Sequence, residues 1–226
     1  MLQDHINETL SDGSETLTDE QKADKLIEKC GYASAALTII PIPGSEIIAV
    51  MPIHVAMVTG IGSIYDCEVS QNSAIKLVME ILTTAGISLV GSRIAITTSK
   101  ILLPGLGGLI GAPFIFASTI AIGAVAKIYF KNEGNIDKND IKSIYKESSK
   151  KARKNFDKNK MQTDEAKKMA EAATEQNVQP PGEKVMPDSE KVSTTERLEQ
   201  LKELLDKDLI EQSEYDEVKK KILSDI

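Results

Sequence analysis

The side chains able to do chemistry are few, and their spacing does not suit it. The chain has two histidines and two cysteines in 226 residues. Cys30 and Cys67 lack the short spacing of a metal site and are too few for a disulfide framework. Each lies at the edge of an apolar segment and reads as a small buried hydrophobe. His54 stands in an apolar run with no second His or Cys beside it, so it reads as a hydrogen-bonded or lumen-facing histidine rather than a metal ligand. Gly105, Gly107, Gly108 and Gly111 invite a phosphate-loop reading, but no strand precedes them and no Lys-Ser/Thr follows. They fit a corner between closely packed helices better. No Ser/His/Asp, Cys/His or paired-carboxylate set can be assembled, so the expectation is a non-enzymatic protein with neither metal nor cofactor.

Charge is the second informative chemistry. The net charge of -7 and pI near 5.1 argue against a nucleic-acid partner. The average hides segregation: residues 1–30 are acidic, residues 31–130 hold eight charges of mixed sign, and residues 131–160 are basic. Within the apolar middle, Glu46 and Arg93 are candidate buried charges, which are functional candidates by default in a membrane setting. Glu46 also lies just past a turn, where an acid favours a helix N-terminus, and that reading is preferred. Lys142, Lys146, Lys150, Lys151, Arg153 and Lys154 follow the last apolar segment directly. They fit a lipid-facing basic flank held at an anionic cytoplasmic surface.

The elements that would position these groups are all helical. Residues 1–17 show no apolar periodicity and read as a disordered acidic N-terminus. Its polar character lacks the basic and apolar regions of a secretory signal, so the N-terminus is expected in the cytoplasm. Thr18-Asp19-Glu20-Gln21 has the form of a capping box and opens a helix running past Tyr32 and Ala36 towards Ile40. Pro41, Pro43 and Gly44 then force a corner. A second apolar stretch reaches Tyr65 with Pro52 inside it, and a third runs from Ala74 to Ile96, where Gly86 and Gly91 weaken the helix without forbidding it. Residues 101–126 carry no charge at all. After the corner at Pro104, Gly105, Gly107 and Gly108, a helix from Leu109 to Tyr129 is long enough to cross a bilayer. Ile39-Ile40-Pro41…Ile64-Tyr65 is echoed by Leu102-Leu103-Pro104…Ile128-Tyr129, the mark of a duplicated helical hairpin.

The domains expected are a hydrophobic helical domain over 18–131, a basic helical connector over 132–175, a flexible Pro/Gly-containing linker over 176–195 and a two-helix hairpin over 196–226. Thr163 is placed to cap a short helix in the connector, and Ser213 to cap the last one. In the hairpin, Leu198, Leu201 and Leu205 share one helix face, Ile210 falls in the turn, and Tyr215, Val218 and Ile222 repeat at helical spacing in the second helix.

Two resemblances follow from these residues. Pro41-Ile42-Pro43-Gly44-Ser45-Glu46-Ile47-Ile48, Ile64-Tyr65-Asp66, Arg93, Leu102-Leu103-Pro104-Gly105-Leu106-Gly107 and Lys127-Ile128-Tyr129-Phe130 resemble the YcjF-like domain over about residues 25–131. That is a bacterial helical domain often appended to small GTPases. The resemblance implies membrane association and a GTPase partner. With no GxxxxGK[ST] segment in this chain, such a GTPase would be a separate protein. Residues 196–223 resemble the SHOCT module, a short C-terminal element, which implies self-association or docking rather than catalysis.

Three functions fit. The first is a scaffold or adaptor at the bacterial inner membrane, integral with cytoplasmic termini or peripheral to it, with lipid, a second copy and a separate protein as partners. The second is a pore-forming or membrane-perturbing protein, and the third a soluble helical interaction protein whose apolar segments only build a core.

Overall fold

A computed structural model of the chain describes residues 2–11, 16–40, 50–86, 108–176, 194–206 and 212–224. All regular structure among them is helical, as the periodicity predicts, with no strand. In chain order the elements are α1 (Leu2–Ser11), α2 (Asp19–Ala36), α3 (Val50–Ile64), α4 (Gln71–Thr84), α5 (Gly108–Lys131), α6 (Lys138–Lys154), α7 (Asp164–Thr174), α8 (Thr194–Asp206) and α9 (Gln212–Ser224).

The helix starts follow local chemistry. The Thr18 capping box forms in full: Gln21 N–H donates to Thr18 Oγ1 at 3.3 Å, and Thr18 N–H donates to Gln21 Oε1 at 2.9 Å. Ser70, Asp137 and Thr163 accept in the same way at the starts of α4, α6 and α7. Ser213, expected as a cap, is instead the second residue of α9.

Three expectations are corrected. Residues 2–11 are a helix rather than disordered, because Leu2 and Ile6 lie one turn apart and are fully buried on one face. Gly60 of α3 lets that face approach: a Cβ there would stand 2.9 Å from Ile6 Cγ2 and 2.8 Å from Leu26 Cδ2. The third apolar stretch does not run as one helix from Ala74 to Ile96. It stops at Thr84, where Gly86 takes φ +87° and its N–H donates back to Thr83 O, the left-handed C-terminal stop that glycine favours. Finally, residues 132–175 are not a connector. Ile141, Tyr145 and Ala152 of α6 and Ala166, Met169, Ala170 and Ala173 of α7 join the same buried cluster as α1 to α5.

At the centre of that cluster α5 packs against α2, α3, α4 and α6. Small residues allow the close crossings. A Cβ on Gly31 of α2 would meet Ile120 and Phe116 of α5 at 2.8 and 2.9 Å, and one on Gly123 of α5 would meet Ile27 at 2.6 Å. Pro52 lies in the first turn of α3, where its missing N–H costs little. Pro113 lies in the second turn of α5 and deletes one bond of its ladder.

Candidate functional site

Three features of α5 bear on function: its apolar length, its buried hydrogen bonds and what holds each end. Residues Ala112–Lys131, 20 residues, form a helix long and apolar enough to cross a membrane, and half of it is buried inside the molecule. The buried face carries Phe116, Ala117, Ala121, Ile122 and Val125. Ile115, Ala124 and Ile128 remain only partly covered.

Two polar bridges cross the apolar core. Thr119 Oγ1 donates to Ile115 O at 3.0 Å, one turn back, so its free lone pair faces His54 Nε2 of α3 at 3.0 Å. With the Thr119 hydrogen spent on Ile115 O, the pairing calls for a hydrogen on Nε2, as in the neutral Nε2-protonated tautomer. Burial alone pushes its pKa down to about 4, with no charged group contributing. On the other side of α5, Ser118 Oγ and Tyr145 OH of α6 are 2.8 Å apart, and burial pushes the phenol up to about 12. Cys30 is fully buried on α2, its thiol held well above the ordinary range by desolvation, so it is inert as a nucleophile. No group of three or more potential metal ligands occurs among the described residues.

The C-terminal end of α5 is tied by charge. Lys127 pairs with Asp24 of α2, Lys131 Nζ lies 3.2 Å from Glu20, and the same acidic face takes Lys160 at Glu28, 2.8 Å away. The N-terminal end is held differently. The Arg153 guanidinium at the end of α6 lies over the Phe114 ring, 5.4 Å from its centroid. Phe114 also packs against the small cluster formed by Leu201 of α8 with Val218 and Ile222 of α9.

Of the sequence-predicted residues, Lys142, Lys146, Lys150, Lys151 and Lys154 are exposed along α6. Arg153 departs from that row: it is half-buried and turned onto Phe114 rather than outward. Leu201, Val218 and Ile222 are buried between α8 and α9, with Leu198, Leu205 and Tyr215 half-buried around them. Gly108 opens α5. Pro41, Pro43, Gly44, Glu46, Arg93, Pro104, Gly105, Gly107 and Ile210 lie outside the described residues. Sequence reasoning missed Phe114, Thr119 and the Lys127–Asp24 pair. Only the last had a signal, a lone lysine within an apolar run.

Comparison with known proteins gives two matches and one negative. The chain is 27% identical over 138 residues to "Magnetosome membrane protein 22" of Magnetospirillum gryphiswaldense, spanning 58% of this chain and 70% of that protein. No solved structure matches. The family model "Domain of unknown function (DUF697)" matches residues 4–154. That range begins within α1 and ends on the last residue of α6, so it takes in the helices on every side of α5. The unit recognised by sequence is thus broader than the 25–131 resemblance, and it leaves α8 and α9 outside. On that match the chain belongs to the DUF697 family.

Proposed function

We propose that this chain is a non-enzymatic membrane-associated scaffold or adaptor of the bacterial inner membrane. The observation that carries the reading is the 20-residue apolar segment Ala112–Lys131, of which half the residues are buried and the rest, Lys131 apart, are only partly covered. Helix α6 packs against this segment, and an anionic leaflet would attract each of its exposed lysines by about 1 kcal/mol. The description of the Magnetospirillum relative as a membrane protein supports the same reading. The hairpin of α8 and α9 is the docking element, for a second copy or for a separate protein such as a GTPase.

Membrane fractions washed with alkaline carbonate test this. Retention in the pellet is expected for an embedded chain, and release by carbonate but not by neutral buffer for a peripheral one. Complete recovery in the soluble fraction before any wash removes the reading. One observation favours a second reading, a soluble interaction protein: α2, α3, α4 and α6 already cover much of α5, and the same fractionation decides between them.

A further inference from the structure

Phe114 is where three elements meet. It lies in the second turn of α5, it receives the Arg153 guanidinium from α6, and it packs on the Leu201–Val218–Ile222 cluster of the C-terminal hairpin. The hairpin needs it. Two helices of 13 residues are too short a unit to fold alone, and Phe114 packs on their Leu201, Val218 and Ile222 together with their own Leu198, Leu205 and Tyr215. A large aromatic ring from elsewhere in the chain completes the core. The same ring stands near the start of the apolar segment read above as membrane-facing, and one ring cannot occupy both environments at once.

We propose that the α8–α9 hairpin is a removable cap on the membrane-facing start of α5. Docked, it covers one side of the half-buried Phe114, while Arg153 lies across the ring. Released, it uncovers Phe114, which can then enter the acyl region beside the exposed lysines of α6, an apolar and a basic contact of the kind that anchors an amphipathic surface to lipid. Anything that takes Phe114's place in the hairpin, such as an apolar side chain of a docking partner, then strengthens membrane binding. Docking by the tail and adhesion by the body become one linked equilibrium. The inference rests on the membrane reading, and the test separates the two.

The full-length protein and three variants, Val218→Asp, Leu201→Asp and Phe114→Ala, are compared for sedimentation with vesicles and for amide hydrogen exchange. The vesicles are phosphatidylglycerol mixed with phosphatidylcholine, and phosphatidylcholine alone. Val218→Asp breaks the hairpin core and leaves Phe114 in place. It is expected to bind the anionic vesicles about ten-fold more tightly than the parent, the factor carried by one large apolar side chain. The added negative charge works against that gain, so a gain cannot be its artefact. Phe114→Ala is expected to lose exchange protection throughout α8 and α9, although the change lies on α5. Leu201→Asp repeats the first test from the other helix, with unchanged protection in α2 and α5 reporting that the body remains folded. If the parent binds vesicles and both hairpin variants bind no better, the cap is overturned and the membrane reading stands. Unchanged protection of the hairpin in Phe114→Ala also overturns the cap. If no protein binds either vesicle, the membrane reading falls and takes the cap with it.

Discussion

The core shared by α1 to α7 and the core between α8 and α9 are built from the same aliphatic side chains at very different scale. The first buries residues from seven helices, with Leu26, Ile53, Met57, Ile61, Ile81, Ile122, Ile141 and Met161 fully enclosed. The second buries three, and borrows Phe114. Size decides independence. The larger core encloses the polar bridges His54–Thr119 and Ser118–Tyr145 between α5 and two of its neighbours, whereas the smaller draws on Phe114 from another element. Stability and regulation are thereby assigned to different parts of the chain: the body holds one arrangement, and the hairpin can exchange its neighbour.

The strongest way to break this contrast is to delete a large side chain from each core. Leu26→Ala is expected to cost about 2–5 kcal/mol of global stability, because the tightly packed surroundings collapse only partly into the cavity. At about 2–4 °C per kcal/mol for a chain of this length, the main thermal transition falls by several degrees. Leu201→Ala is expected to leave that transition in place and to remove exchange protection from α8 and α9 only. Equal shifts in the main transition would mean that the two cores fold as one.

The next effect is set by pH. His54 is neutral and buried, with a pKa near 4 against 6.5 for the free side chain. Between those values the unfolded chain binds more protons than the folded one, so stability rises with pH through that window. The contribution is fully present above pH 6.5 and is lost as pH falls towards 4, to the extent of roughly 3 kcal/mol. Denaturant unfolding from pH 7 to pH 4.5 measures it. His54→Gln keeps a donor for Thr119 and removes the titration, so its stability is expected to stay nearly level over the same range. The hairpin holds no buried titratable group among its described residues, so its protection factors, taken relative to the intrinsic exchange rate at each pH, should follow pH only through the body.

How much of this was legible in the sequence depended on whether the cause was local. The Thr18 capping box and the Thr163 cap were readable because each is written within four consecutive residues. The stripe of Leu201, Val218 and Ile222 was readable because helical period alone puts these side chains on common faces. The N-terminal helix was missed although Leu2, Ile6 and Leu10 fall four residues apart, because so short a stripe among polar residues cannot hold a helix by itself and this one exists through the tertiary burial of Leu2 and Ile6. The role of α6 was misread for a related reason. Its lysines dominate the composition, while Ile141, Tyr145 and Ala152 on the other face decide where it packs. Phe114 was hidden altogether: in a charge-free run, one apolar residue looks like the next, and only the fold shows which of them meets Arg153 and the hairpin.

A smaller effect comes from the glycine crossings within the body. A Cβ on Gly123 would stand 2.6 and 2.8 Å from Ile27 and 3.1 Å from Met57 Sδ. Since α2 and α3 both press on this point, Gly123→Ala is expected to cost about 1–3 kcal/mol through overpacking, partly offset by alanine's better helix propensity. A melting temperature at or above that of the parent would mean that the Ile27 side chain yields freely, and that the α2–α5 contact is looser than the geometry implies.

The smallest effect sharpens the contrast between the two ends of α5. At the C-terminal end, Lys127 is largely covered while its partner Asp24 stands more than half exposed, so water competes for the acid and salt screens the pair. Lys127→Gln should therefore cost less than about 1 kcal/mol, and that cost should shrink as salt is raised. The N-terminal end responds in the opposite sense to the same variable, because Phe114 is held by apolar contact that added sulfate strengthens. Exchange rates in α8 and α9 should fall in sulfate while the Lys127 contribution fades. If both ends weaken together, charge rather than apolar packing holds the hairpin, and the distinction between a fixed end and a releasable end of α5 fails.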